Sequence, residues 1–203
     1  MERMNETLRL LCASLVEELD QIPEERKQIL KEIKTYIHRK EREQIHLISV
    51  CTHNSRRSHF GQIGSMLAAT YFGKTSVYTY SAGTETTAVH PNTIAALKEI
   101  GCEVSILKND TNNPTYRVSL GSDLSTDCFS KTIDHPTLPK HDFAAIMTCT
   151  DAEQNCPFLP GAAIRISTPY SDPKSYDDTP QAQEKYVEKM KEILREWLFV
   201  FKV

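Results

Sequence analysis

Cys51 is separated by five residues from the pair Arg57-Ser58, in the run Cys51-Thr52-His53-Asn54-Ser55-Arg56-Arg57-Ser58. The run sits between an apolar stretch, Ile45-His46-Leu47-Ile48-Ser49-Val50, and a segment with helical periodicity. A chain that leaves a buried strand and turns into a helix points successive backbone N–H groups into one concavity. The helix N-terminus adds partial positive charge there. Such a concavity cradles a tetrahedral oxyanion. Arg57 brings a planar, permanently charged fork able to hold two of its oxygens. At the base of the cradle the same field favours the thiolate of Cys51, the nucleophilic form. Ser58 can donate a hydroxyl hydrogen bond to the sulfur, and Asn54 tolerates a left-handed backbone that ties the loop together. The competing reading is an inert buried thiol, but it calls for none of the flanking strand, serine and helix. A zinc site on Cys51, His53 and His59 lacks the second Cys/His pair that would complete it.

A second pair of thiols, Cys149 and Cys156, is separated by six residues after another apolar stretch, Phe143-Ala144-Ala145-Ile146-Met147-Thr148. Open parallel sheets bind ligands at the carboxyl edge of their strands, and both Cys51 and Cys149 emerge at such an edge. A thiol beside a covalently modified Cys51 can attack it, and another can attack the first. Asp151, Glu153, Gln154 and Asn155 make the intervening segment polar, and it reads as a mobile loop. Cys12, Cys102 and Cys128 have no comparable context and read as packing residues.

These groups need a scaffold. Strand Ile45–Val50 leads through the polar turn into a helix over 58–72 that Gly73 stops. A strand over 76–81 and a helix over 91–100 follow, the latter stopped by Gly101. Phe143–Thr148 and Ala162–Ile166 supply two more strands. The alternation predicts an α/β fold, a four-stranded parallel sheet with helices on both faces. Between them, Val104 and Ile106, then Tyr116, Val118 and Leu120, alternate with polar residues around Asn109-Asp110-Thr111-Asn112-Asn113-Pro114. That pattern predicts a hairpin excursion within 101–142. Thr179-Pro180 reads as the cap of a last helix with Val187, Met190, Ile193, Leu194, Trp197 and Phe201 on one face. Ahead of the sheet, Leu8, Leu11, Leu15 and Leu19 form one helical stripe. Ile29, Leu30, Ile33, Tyr36 and Ile37 form another, with Pro23 in its first turn. The division expected is an N-terminal helical extension over 1–44 and a catalytic domain over 45–203.

The chain has 203 residues, 24 basic and 27 acidic, for a net charge of −3, which argues against bulk nucleic-acid binding and electrostatic membrane docking. With 39 % hydrophobic residues it is too apolar for a disordered chain, and no apolar run is long enough to span a bilayer. The first residues lack a signal-peptide pattern, so a cytoplasmic location is expected, where six cysteines are better read as chemistry than as disulfide staples.

The run from Ile48 to Ser58 resembles the phosphate-binding loop of low-molecular-weight protein tyrosine phosphatases and of the arsenate reductases that share their fold. Tyr80-Ser81-Ala82-Gly83-Thr84-Glu85 resembles the segment after their second strand, and His90-Pro91 also fits. The likeness runs from about Ile45 to Leu198, interrupted by the excursion. It implies that Thr52, His53, Asn54, Ser55, Arg56, Arg57 and Ser58 bind the oxyanion. It also implies that Asp172-Pro173 carries the general acid that protonates the leaving group. Cys149-x6-Cys156 looks like the redox loop of thioredoxin-coupled arsenate reductases. The resemblance then implies Cys51 as nucleophile, Cys149 and Cys156 as a disulfide relay, and thioredoxin as reductant. Two enzyme readings stay open: arsenate reduction, and hydrolysis of phosphomonoesters through a cysteinyl-phosphate. A non-catalytic anion sensor is a third, disfavoured by the intact Cys51, Arg57 and Asp172. No cofactor or metal is implied, and neither nucleic acid nor membrane is expected as a partner. His53 stands where the family usually has Gly, Arg56 where many relatives have Cys, and Lys174 follows Asp172-Pro173 in place of an aromatic residue. Asp177 and Asp178 read as surface charges.

Overall fold

The computed structural model describes residues 4–40, 43–155 and 159–202, with 153–155 described as backbone only. Its elements are α1 (Glu6–Val16), α2 (Glu24–Arg39), β1 (Ile45–Cys51), α3 (Arg57–Tyr71), β2 (Val77–Gly83), α4 (Pro91–Glu99), β3 (Glu103–Lys108), β4 (Thr115–Gly121), β5 (Leu124–Cys128), β6 (Phe143–Met147), α5 (Thr150–Asn155), β7 (Ala162–Ser167) and α6 (Ala182–Phe201). Strands β2, β1, β6 and β7 form a parallel sheet in that order, as the strand–helix alternation requires.

β1 lies in the middle of the sheet, and its alternating residues serve two cores. Ile45 and Leu47 pack into the larger core with α1, α2, α3 and α6, while Ile48 and Val50 pack into a smaller one with Met147, Cys149 and Leu159. Burial on both faces explains why β1 is almost continuously apolar. Ser49 is the exception among its buried residues, and its reason is α3. A Cβ built on Gly61 would come within 2.4 Å of the Ser49 hydroxyl, so the glycine lets the helix lie directly on the strand. The register places Cys51 opposite Gly83, Val50 opposite Met147 and Met147 opposite Ser167. The carboxyl ends of all four strands therefore open onto one edge.

The helical stripes of the N-terminal segment are buried as their spacing demands. Leu8, Leu15, Leu19, Leu30, Ile33 and Ile37 all enter the larger core, where α1 and α2 pack on α6. At about 1.5–3 kcal/mol per fully buried aliphatic side chain, this segment shares one core with the sheet. α6 buries Val187, Met190, Ile193, Leu194, Trp197 and Phe201 as expected, and Tyr186 and Glu196 besides.

Several local expectations change. The excursion is a three-stranded antiparallel sheet, β3-β4-β5, where the sequence suggested a two-stranded hairpin. β5 has too few apolar residues to announce itself, and it forms by pairing with β4. Thr179-Pro180 does not cap α6. Gln181 holds that position, and the Thr179 hydroxyl donates to the Tyr176 carbonyl. Pro23 is the N-cap of α2 and lies just before its first turn. The stretch after Cys149 is helical over Thr150–Asn155, where a loop was expected.

Candidate active site

Asn54 organises the loop between β1 and α3. It adopts the left-handed conformation at φ 44°, which Asn tolerates better than most residues. Its amide oxygen accepts from the Lys131 backbone N–H at 2.9 Å, which orients its amide nitrogen to donate to Ser58 Oγ at 2.8 Å. Ser58 Oγ lies 3.1 Å from Cys51 Sγ. Having accepted from Asn54, the hydroxyl turns its own proton to the sulfur, where it stabilises a thiolate. All three residues are buried.

The turn around them is lined with donors. Among the described residues, no protein group accepts from the backbone N–H groups of Thr52 through Ser58. α3 begins with Arg56 as N-cap and has no side-chain cap, so its first N–H groups face the same turn. Gly83 lets β2 approach: a Cβ there would sit 2.7 Å from both Asn54 N and Thr52 O, which are backbone atoms that cannot move aside. Unpartnered N–H groups at a helix N-terminus define an anion site.

His59 stiffens the loop from beneath. Its Nε2 donates to the Asn54 carbonyl at 2.9 Å, and its Nδ1 accepts from the Ser81 hydroxyl at 3.2 Å. Complete burial, with the Lys131 charge nearby, depresses its pKa to about 3, so the ring is neutral and both nitrogens are committed to structure. His53 is exposed and faces Glu85, its Nε2 3.3 Å from Oε2.

Arg57 and Asp172 meet at the rim. Arg57 Nη1 donates to the Tyr170 carbonyl at 2.9 Å, and Nη2 donates to Asp172 Oδ2 at 2.5 Å. A guanidinium has five N–H donors, so it keeps donors for an oxyanion. Asp172 Oδ1 accepts from Lys174 N, capping the short 3₁₀ turn Pro173–Tyr176 that orients the carboxyl.

Arg56 turns elsewhere. Its Nε donates to the Tyr186 hydroxyl at 2.5 Å and its Nη2 to Asp177 Oδ2 at 2.6 Å. Tyr186 in turn donates to Asp177 Oδ1 at 2.6 Å. His90, N-cap of α4, stacks on Tyr186, and its N–H donates to the Ser55 carbonyl. Two of the Arg56 guanidinium donors are thus committed to Tyr186 and Asp177, and its backbone N–H faces the loop. Asp177 is three-quarters or more buried, and so corrects the expectation of a surface charge, which holds for Asp178 alone. Tyr186 was legible: it lies four residues before Met190 and extends the buried stripe of α6. Asp177 was not, because an acidic residue in an Asp-Asp turn carries no sign of its partner.

Cys149 is 1 % exposed, yet its sulfur lies 3.5 Å from the hydroxyl of Thr52, the residue after Cys51. The Ala152 N–H also donates to this sulfur. Cys51 and Cys149 share the smaller core. Cys156 lies outside the described residues. Burial pushes Cys12, Cys102 and Cys128 up to about 12, so they stay protonated and pack as the sequence suggested. Among the described residues every cysteine is a free thiol, no His/Cys/Asp/Glu cluster is arranged to hold a metal, and no helix is long and apolar enough to cross a membrane.

No protein-family model matches the sequence. An arsenate reductase of Staphylococcus saprophyticus is 30 % identical over 145 residues, spanning 70 % of this chain and 91 % of that protein. One from Staphylococcus aureus strain Newman is 32 % identical over 126 residues, 61 % of this chain and 75 % of that protein. Among solved structures, a YwlE mutant from Bacillus subtilis superposes with TM-score 0.53 at 15 % identity, covering 77 % of this chain and 96 % of that one. The low-molecular-weight protein tyrosine phosphatase of T. tengcongensis superposes with TM-score 0.50 at 16 % identity, over 76 % and 97 % of the chains. The scaffold is thus the low-molecular-weight phosphatase fold, with the loop that carries Cys51 and Arg57 at its carboxyl edge. The chain belongs to the arsenate reductase family within that superfamily and is an enzyme of this kind.

Proposed function

We propose that the protein reduces arsenate to arsenite with its own thiols, and that thioredoxin restores them. The observation that carries this reading is Cys149, held against the residue next to Cys51. Phosphoryl transfer, which water completes, has no use for a second thiol at the loop.

The reaction runs as follows. Arsenate enters the cradle, its oxygens held by the N–H groups of the loop and by Arg57. The Cys51 thiolate attacks arsenic, and a departing oxygen takes the proton supplied by Asp172 and leaves as water. Cys149 then attacks the Cys51 sulfur. The sulfur–sulfur bond forms, the pair from the sulfur–arsenic bond stays on arsenic, and As(V) departs as arsenite, As(III). Cys156 attacks Cys149, freeing Cys51 and forming a 149–156 disulfide that the dithiol of thioredoxin reduces.

The same loop accepts a phosphomonoester, since phosphate and arsenate are near-isosteric, and aryl-phosphate hydrolysis is its expected side activity. Lys174 beside Asp172 is exposed and offers no ring to stack on a phosphotyrosine, which favours a small inorganic oxyanion. Purified protein incubated with arsenate, thioredoxin, thioredoxin reductase and NADPH should yield arsenite. A chain that hydrolyses aryl phosphate but leaves arsenate unchanged would be a phosphatase.

A further inference from the structure

The N-terminal helices precede the sheet and contribute no residue to the oxyanion loop. One side chain nonetheless leaves them for the active-site edge. Arg26, in the first turn of α2, reaches α6 and the segment after β7 together. Its Nε and Nη2 donate to the two oxygens of Glu196, each at 2.8 Å. Its Nη2 also donates to the Thr168 carbonyl at 3.3 Å and its Nη1 to the Pro169 carbonyl at 3.4 Å. Its guanidinium lies 4.5 Å from the centroid of the Tyr170 ring, and the Tyr170 hydroxyl donates to Glu196 Oε2 at 2.6 Å. Arg26 thus holds three consecutive residues: Thr168 and Pro169 at their carbonyls, and Tyr170 at its ring face and through the buried Glu196 carboxylate.

Those three residues lead directly into the site. The Tyr170 carbonyl receives Arg57 Nη1, and Asp172, two residues on, receives Arg57 Nη2. The opposite side of the segment is pinned to the strand that delivers Cys149: Thr168 N donates to the Met147 carbonyl and Tyr170 N to the Thr148 carbonyl. The height of the Tyr170 carbonyl therefore sets where the Arg57 fork sits over the loop. It is fixed from one side by β6 and from the other by Arg26.

We propose that Arg26 is a positioning residue, acting through Glu196 and Tyr170 to aim Arg57 and Asp172. On this view the N-terminal helical segment is part of the oxyanion site. The proposal rests on the functional reading above. Only an arginine meets the geometry: it grips a carboxylate by two parallel bonds, lies flat on an aromatic face and still has donors for two carbonyls. A lysine supplies the charge but neither the fork nor the plane.

The test is the affinity of the full chain for inorganic phosphate, measured by calorimetry beside the melting temperature. Arg26→Ala should weaken phosphate binding roughly tenfold, in keeping with the sensitivity of oriented groups to displacement. Arg26→Lys keeps a charge opposite Glu196. It should recover much of the melting temperature while leaving phosphate binding weak. Leu15→Ala, a core truncation in α1 away from Arg26, should lower the melting temperature with phosphate affinity unchanged. Phosphate affinity at the wild-type level in Arg26→Ala would overturn the proposal. So would affinity that follows melting temperature across all three variants, because Arg26 would then act through stability alone. A wild-type chain that binds no phosphate would overturn the functional reading and this proposal with it.

Discussion

Arg57 Nη2 lies 2.5 Å from Asp172 Oδ2, so the cation that holds the substrate in the proposed mechanism is paired with the carboxyl proposed to protonate its leaving group. An incoming oxyanion competes with Asp172 for that cation. Asp172→Asn removes the competing charge and should bind inorganic phosphate several-fold more tightly than wild type. It should also hydrolyse aryl phosphates with poor leaving groups about 10²–10⁴-fold more slowly, and good ones with a much smaller loss. Weaker phosphate binding with an equal loss for both substrates would make Asp172 a structural residue.

The nucleophile assignment predicts that Cys51→Ser abolishes arsenate reduction and aryl-phosphate hydrolysis alike. Arg57→Lys should also lose most activity, because a point charge cannot replace a two-point fork. Ser58→Ala, which leaves the sulfur without its hydroxyl donor, should shift the acid limb of the pH–rate profile to higher pH. An unchanged limb would remove Ser58 from the activation of Cys51.

Gly83→Ala tests the loop's dependence on β2. The new methyl meets two backbone atoms of the loop at 2.7 Å. The variant should retain its helical circular dichroism and lose phosphate binding. Asp177→Ala breaks the loop's other anchor, leaving Arg56 mostly buried without its carboxylate. A loss of about 3 kcal/mol in unfolding free energy is expected from denaturant titration.

His59 makes stability pH-dependent. Its pKa is about 3 in the folded chain and about 6.5 when unfolded. Between those values the unfolded chain binds the extra proton, so stability rises with pH across the window and is lost as pH falls from about 6.5 toward 3. Burial depresses His46 and His90 as well, with the same sign. Unfolding free energies measured across that range should fall more steeply for wild type than for His59→Gln. Parallel curves would contradict the assignment.

What the sequence disclosed follows a physical divide. The loop, its cysteine and arginine, the parallel sheet and the apolar faces of α1, α2 and α6 were legible, because each rests on local spacing or on a turn that demands particular residues. Asn54 at positive φ is the clearest case. β5 was not legible, since its residues form a strand only by pairing with β4. Nor were Asp177, Glu196 and Arg26. Each is a charged residue on a turn or helix, where a solvated face is the ordinary reading, and each is committed by a partner distant in the chain.

In the proposed mechanism Cys149 completes an arsenate reduction begun at Cys51, and thioredoxin-coupled turnover reads that step. NADPH consumption with arsenate, thioredoxin and thioredoxin reductase should be compared in wild type and Cys149→Ser, with aryl-phosphate hydrolysis as the control for an intact oxyanion site. Wild type should consume NADPH steadily and Cys149→Ser should consume none, with hydrolysis kept by both. Cys149→Ser consuming NADPH at the wild-type rate would contradict that mechanism.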